Sequence, residues 1–202
     1  MYNGVMSEEF RERIQSEKGP ELDQQKKPKY TVEVVSGINE DIVKAICEIE
    51  EASFPEQIRS SPEDIKEVLE NRDGIHLLVK DKEGKILGNI LSLRQSQEYD
   101  NLLDHDADFT NDGNALYIES IAVKPKNRDL GVFNSLLKSL NKEAKKRNYK
   151  KITMHARVST GLSKVLQSRY GAKFLRRIEN WHDFGEPFDY LEIEISEDDI
   201  EK

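Results

Sequence analysis

Apolar and polar positions along the chain predict an order of strands and helices from residue 30 onward. Residues 30–35 alternate at period two, with Val32 and Val34 on one face, as a strand does. After the Ser36-Gly37 turn, Ile42, Val43, Ile46, Cys47 and Ile49 recur at helical spacing, so a helix capped at Asn39 or Asp41 is predicted to about Ala52. Ser61-Pro62-Glu63-Asp64 supplies a cap, a first-turn proline and two acids, and starts a second helix that runs to about Asn71. Residues 75–80 and 86–93 read as paired strands around the Asp81-Lys82-Glu83-Gly84 turn. Gly88 inside the second of them marks a bulge or a close backbone approach. Residues 96–114 then form a polar, acidic loop.

The longest apolar, β-branched run is 116–123, broken only by Glu119 and Ser120, and reads as a buried strand. Pro125 cannot continue a ladder, so the strand ends there. Gly131 then opens a helix whose Val132, Phe133, Leu136, Leu137, Leu140 and Ala144 share one face. Residues 150–157 make a further strand, and 161–169 a helix closed by Gly171. A final hairpin has arms 174–182 and 187–195 about a Gly185-Glu186 turn. This order predicts a mixed central sheet of about seven strands with helices on both faces, an α+β or α/β arrangement.

Length and composition fit one domain over 30–195 in a chain of 202 residues. Residues 1–29 are charged and read as a flexible or weakly docked extension, in preference to a short helix capped by Ser7 and reaching Ser16. Residues 196–202 form an acidic tail. The net charge of -8 argues against a general nucleic-acid grip and tolerates a cationic substrate. The single Cys47 excludes an internal disulfide or a cysteine-rich zinc site and reads as an inert core thiol. No apolar run reaches membrane-spanning length and no signal-peptide core precedes Tyr30, so a cytoplasmic, membrane-free protein is expected. His76 and His105 lack metal-ligand spacing, and His155 reads as a hydrogen-bonded histidine. Asp104, Asp106 and Asp108 are spaced as in a calcium loop. Phe109 and Ala115 stand where that loop needs Gly and Glu, so no metal is expected. The acidic loop reads as a solvated surface, or as a field that draws in a cationic amine.

A strand that leaves through a Gly-containing turn into a helix N-terminus offers free N–H groups and a positive dipole end to an anion. Here the turn reads Arg128-Asp129-Leu130-Gly131-Val132-Phe133 after Val123-Lys124-Pro125. With the surrounding element order, it resembles the GNAT superfamily of acyl-CoA-dependent N-acyltransferases, whose signature is Arg/Gln-x-x-Gly-x-Gly/Ala after a Val-x-Pro strand end. Arg128 and Gly131 match, and Phe133 stands at the last, usually small position.

The resemblance covers roughly 30–195 and implies a mostly antiparallel sheet with acetyl-CoA as co-substrate. It implies that Arg128, Asp129, Leu130, Gly131, Val132 and Phe133 bind the pyrophosphate. It assigns Ile121, Ala122 and Val123 to the pantetheine arm, with the Ile121 N–H on the thioester carbonyl, and Thr160 to a pantetheine contact. The Tyr-Ile-Glu-Ser-Ile-Ala-Val run is similar to spermidine/spermine-type members and implies Glu119 as general base. A carboxylate in an apolar strand also suits that role, since desolvation raises its pKa. The acceptor amine, on a small molecule or a protein, would meet Glu56, Gln57, Tyr117 and Trp181. A homodimer is left open. Gln167 stands where many members carry a tyrosine that serves as general acid. With Phe133 and Thr160 it supports an alternative, a weak or inactive relative that binds CoA or a protein partner.

Overall fold

Strands β1 (Tyr30–Val34), β2 (Leu77–Asp81), β3 (Ile86–Arg94), β4 (Ala115–Val123), β5 (Lys151–Arg157), β6 (Lys173–Ile178) and β7 (Phe188–Glu194) form one seven-stranded sheet. Their order across it is β1-β2-β3-β4-β5-β7-β6. Every neighbouring pair is antiparallel except β4 and β5, which run parallel. The computed structural model describes residues 30–195. The extension expected over 1–29, the helix weighed against it and the tail over 196–202 lie outside the described residues.

Helices cover both faces, as the apolar spacing predicts. On one face lie α1 (Glu40–Ser53) and α2 (Pro62–Glu70), which bury Val43, Ile46, Ile49, Ile65 and Leu69 against Leu78, Leu91 and Ala122. Asn39 caps α1 by accepting the Ile42 N–H at 2.9 Å. Ser61 and Asp64 close a capping box on α2, with Pro62 in its first turn. A short helix α3 (Tyr99–Leu103) follows β3. On the other face lie α4 (Val132–Lys146) and α5 (Leu162–Tyr170). The α4 stripe of Val132, Leu136, Leu137, Leu140 and Ala144 is buried on the largest core cluster. At about 1.5–3 kcal/mol for each large side chain removed from water, this stripe fixes α4 beneath the end of β4.

Two expectations change. The acidic stretch after β3 is not a plain solvated loop. It holds α3, and its Asp106 and Phe109 are buried. Gln95 ties it down, donating to the Thr110 carbonyl at 2.7 Å and accepting from Thr153 at 2.6 Å. The final hairpin also has a shorter first arm than expected. β6 stops at Ile178, and a turn at Trp181–Asp183 intervenes, stapled by Asn180, which bonds Asp183 Oδ1 at 2.9 Å and the Gly185 N–H at 2.8 Å. Asp183 closes that turn in the left-handed region, at φ 54.

Candidate active site

β4 and β5 stay paired only from Ala115↔Lys151 to Tyr117↔Thr153 and then diverge. A cavity of about 480 Å³ opens in the gap. Tyr117, Glu119, Ser120 and Ile121 line it from β4, and His155, Ala156 and Arg157 from β5. Gln57 and Ser60 come from the α1–α2 connection, and Thr160 and Trp181 complete the wall.

A β-bulge shapes the β4 side. Leu91 faces Ser120 while Ser92 faces Ile118, so Glu119 is an extra residue with no partner on β3. The bulge corrects the simple alternation that would put Glu119 on one face with Ile121. Ile121 packs toward the α4 core, and Ser120 turns to the α1 face, where its hydroxyl donates to Glu50 Oε1 at 2.8 Å. Glu119 itself opens into the cavity, where its surface is exposed to solvent while protein crowds it on every other side, and that crowding counts as burial for its carboxyl.

That setting explains its protonation. Burial pushes the Glu119 carboxyl up to about 8; the neighbouring charge of Glu98, a hydrogen bond shared with Glu98, and the charge of Glu50 act in the same direction. Glu50 is 1% exposed. Its Oε2 accepts the Ser60 N–H at 2.8 Å, so it joins α1, the α1–α2 connection and β4. Burial raises its pKa too, opposed by those hydrogen bonds.

Across the gap, Tyr117 of β4 and His155 of β5 belong to one chain of paired polar groups. The Tyr117 hydroxyl lies 2.9 Å from His155 Nδ1, and His155 Nε2 lies 3.1 Å from Asp106 Oδ2. Arg176 binds Asp106 through both Nε, at 2.8 Å, and Nη2. The His155 ring stacks on Trp181 at 3.9 Å and on Tyr190 at 4.6 Å. Burial alone would raise the Asp106 carboxyl, but hydrogen bonds from His155 and Arg176 outweigh it and hold it at about 2. Burial pushes the Tyr117 phenol well above its ordinary range.

The turn after β4 has the features of an anion cradle. Gly131 adopts φ 74, and the first bond of α4 runs from the Ser135 N–H to the Gly131 carbonyl at 3.1 Å. The amides of Val132, Phe133 and Asn134 therefore precede the intrahelical ladder. Asn127, in the same turn, is 8% exposed and its Nδ2 has no partner among the described residues. Asp129 and Leu130 are exposed. Arg128 folds back, donating from Nε to the Val123 carbonyl at 3.4 Å. Phe133 is half-buried against the core and meets Tyr170 edge-on at 6.1 Å, so its ring packs inward. The Lys124 N–H donates to the Leu87 carbonyl at 2.9 Å. Strand alternation then turns the Ala122 N–H toward β3 as well, and the Ile121 and Val123 N–H groups toward the gap.

The remaining candidates divide. Gln57, Tyr117 and Trp181 line the cavity, whereas the exposed Glu56 on the same connection does not. The Thr160 hydroxyl donates to the Arg157 carbonyl at 2.7 Å and accepts the Leu162 N–H at 3.3 Å. Gln167 donates to the Ser163 hydroxyl at 3.0 Å, and Ser163 donates to Asp189 at 2.6 Å, all away from the cavity wall. Sequence reasoning missed Glu50, Glu98 and the Asp106–His155 pairing. Glu50 did carry a signal, since it lies seven residues after Val43 and four after Ile46, on the buried stripe of α1. Among the described residues, no cluster of acidic, histidine or cysteine side chains could hold a metal, and no helix is long and apolar enough to cross a membrane.

Solved structures share this fold. Ard1 from Thermoplasma volcanium matches with a TM-score of 0.66 at 13% identity, covering 84% of this chain and 99% of that one. NAA60 from Arabidopsis thaliana, in complex with acetyl-CoA, matches at 0.64 and 16%, covering 82% and 98%. The ribosomal-protein-S18-alanine N-acetyltransferase from Escherichia coli matches at 0.63 and 17%, covering 83% and 94%. No curated protein matches the chain. The sequence profile described as the Acetyltransferase (GNAT) family matches residues 43–163, which run from within α1 to the start of α5. The chain belongs to the GNAT family of acetyltransferases.

Proposed function

We propose that the protein transfers an acetyl group from acetyl-CoA to an amine by direct attack, with Glu119 taking the proton of the attacking nitrogen. One observation carries this reading: the gap between β4 and β5 and the raised Glu119 carboxyl meet at one cavity, and β4, which lines it, runs on through the Gly131 turn into the α4 N-terminus. The turn over 128–133 holds the pyrophosphate, because its amides and the α4 dipole favour an anion. Gly131 lets backbone approach the phosphate closely, and the orphaned Asn127 amide adds a donor beneath the turn. Arg128 contributes positive charge while its Nε stays on Val123. Ile121 and Val123 offer gap-facing N–H groups to the pantetheine arm, and Ala122 holds their register on β3. Thr160 borders the same arm from the β5 side.

In the chemical step the amine nitrogen forms a bond to the acetyl carbon and the carbon–sulfur bond breaks. Glu119 receives the proton released from nitrogen, and CoA departs as its thiol or thiolate. The Ile121 N–H stabilises the oxyanion that develops on the carbonyl. Gln57, Tyr117 and Trp181 form the acceptor wall, with Glu56 at its solvent edge.

Thermal unfolding with and without acetyl-CoA tests the reading. Ligand at a hundredfold excess over Kd is expected to add about 2.7 kcal/mol of stability. An unchanged Tm at millimolar acetyl-CoA removes the co-substrate. Given a shift, release of CoA thiol against a panel of amines tests turnover, and a shift without thiol release on any amine leaves a CoA-binding protein instead.

A further inference from the structure

Glu119 stands at the end of an apolar wall. Leu116 and Ile118 pack on the α4 core, so Tyr117 faces the opposite side of the sheet. Glu119 follows Ile118 onto that side, and because it is the extra residue of the bulge, Ser120 points there as well. Beside Tyr117 the side chains are apolar. Leu102 from α3, Trp181 from the hairpin turn and Phe188 from β7 form one cluster with it, and Ile58 from the α1–α2 connection packs against them. All of them line the cavity. Trp181 is 8% exposed, Phe188 6% and Leu102 5%, and Ile58 is half-buried, so each keeps accessible surface.

The charged groups around that wall are already engaged. Glu50 accepts from Ser120 and Ser60, Asp64 belongs to the α2 capping box, and His155 joins Tyr117 to Asp106. Arg59 donates to the Phe54 carbonyl at 2.8 Å and the Glu51 carbonyl at 3.3 Å. The Nε and Nη1 of Arg157 are closed off from solvent, and its guanidinium faces Glu186 and the Phe184 ring. Glu98 shares a hydrogen bond with Glu119. A second charge on the acceptor would therefore be buried against this wall without a partner, which is costly, whereas an apolar group gains from the same burial.

We infer that the acceptor is a primary amine with an uncharged, apolar body, branched aliphatic or aromatic, which lies on Ile58, Leu102, Trp181 and Phe188 while its nitrogen faces Glu119. This rests on the acetyl-transfer reading and names its substrate class. The net charge of -8 draws in the ammonium form from a distance, and the wall then sets the fit.

The test is steady-state acetylation of phenethylamine and isoamylamine against ethanolamine, β-alanine and ethylenediamine, with the tripeptide amides Leu-Gly-Gly and Ser-Gly-Gly as the chain-terminus arm. The apolar member of each comparison is expected to win by about ten- to hundredfold in kcat/KM, mainly through KM. Phenethylamine ahead of the leucine peptide identifies a small amine, and the reverse order a polypeptide N-terminus. Ile58→Ser should cut the apolar preference by about tenfold. Ile58→Asp sets a carboxylate on the wall and should move the preference toward ethylenediamine. A binding readout stands beside turnover: with CoA present, N-acetylphenethylamine should raise the Tm of the wild type more than that of Ile58→Ser. An apolar preference that both Ile58 variants leave unchanged takes the wall out of the account and overturns the inference. Equal rates across the panel, or β-alanine or ethylenediamine ahead, overturn it too and leave acetyl transfer standing. No stabilisation by acetyl-CoA removes both.

Discussion

The two walls of the cavity solve the problem of buried charge in opposite ways. Around His155, the side chains of Tyr117, Asp106 and Arg176 form a chain in which each member bonds the next, and the His155 ring stacks on Trp181 and Tyr190. On the β4 side, Glu119 has two carboxyl neighbours, Glu98 and Glu50, raising its pKa. A satisfied network rigidifies what it joins, whereas a carboxyl crowded by like charge holds a proton that titrates near neutral pH. The contrast assigns the closed wall to stability and the open wall to chemistry. Substitutions in the first should lower the Tm, and substitutions in the second should lower turnover and spare the fold.

The largest effect is expected at Glu119. Glu119→Gln keeps the side-chain shape and removes the proposed base, so kcat/KM should fall by about 10²–10⁴-fold. Its stability should move the other way. Because the folded carboxyl titrates at about 8, above the ordinary value of 4.5, the folded state binds more protons between those pH values. Wild-type stability therefore declines as pH rises from about 4.5 to 8, and the variant should lack that decline. Thermal scans over this range check the sign. A variant less stable than wild type at alkaline pH would place Glu119 in the structural wall and dissolve the contrast.

Next comes Asp106→Asn, which leaves Arg176 and His155 without their carboxylate and should cost roughly 3 kcal/mol. The folded carboxyl sits at about 2, below its ordinary 3.8. Its contribution is complete above about pH 4 and is lost as pH falls toward 2, so wild type should show an acid limb that the variant lacks. Acid titration of the Tm in both proteins tests this. An unchanged Tm at neutral pH would show that the closed wall carries little stability.

The same contrast explains how much could be read from sequence. The strand order, both capping sequences and the α4 stripe were legible because each is a local pattern with its own period or cap. Gly131 and the proline-ended strand were legible because a left-handed turn needs that residue. The bulge at Glu119 was not legible, since it depends on the register between β3 and β4, and register is a property of two strands. The burial of Asp106 was hidden for a similar reason. Nothing in an acidic loop announces which of its carboxylates will meet an arginine seventy residues later. The expected placement of Glu56 and Gln57 together split because the short turn at Glu56–Ile58 points them differently.

A smaller effect is expected at the turn. A Cβ at Gly131 would meet only the Tyr30 hydroxyl at 3.4 Å, so space is available, but φ 74 is unfavourable for any other residue. Gly131→Ala should therefore fold, at a cost of about 1 kcal/mol. It should also reduce the Tm rise that acetyl-CoA produces, because the added Cβ keeps phosphate from the turn's amides. Equal protection of both proteins would take the pyrophosphate away from this turn and leave the gap between β4 and β5 as the only link to the co-substrate.

The finest test concerns Glu98, which no sequence pattern marked. Burial is the main cause of the raised Glu119 carboxyl; the Glu98 charge comes next, and the hydrogen bond between them follows. Glu98→Gln removes the charge and leaves the burial. The Glu119 pKa should fall, but not to the value of an exposed carboxylate. Since the ionised form is the proposed base, kcat/KM in wild type should climb with pH and level off above about 8. In the variant the midpoint should lie at lower pH, so at neutral pH the variant should turn over faster than wild type while its alkaline plateau stays level or drops. Few substitutions beside a base raise its activity, so the sign is informative. A slower neutral rate with the midpoint unmoved would mean that Glu98 supports the acceptor wall sterically, and that burial alone sets the proton on Glu119.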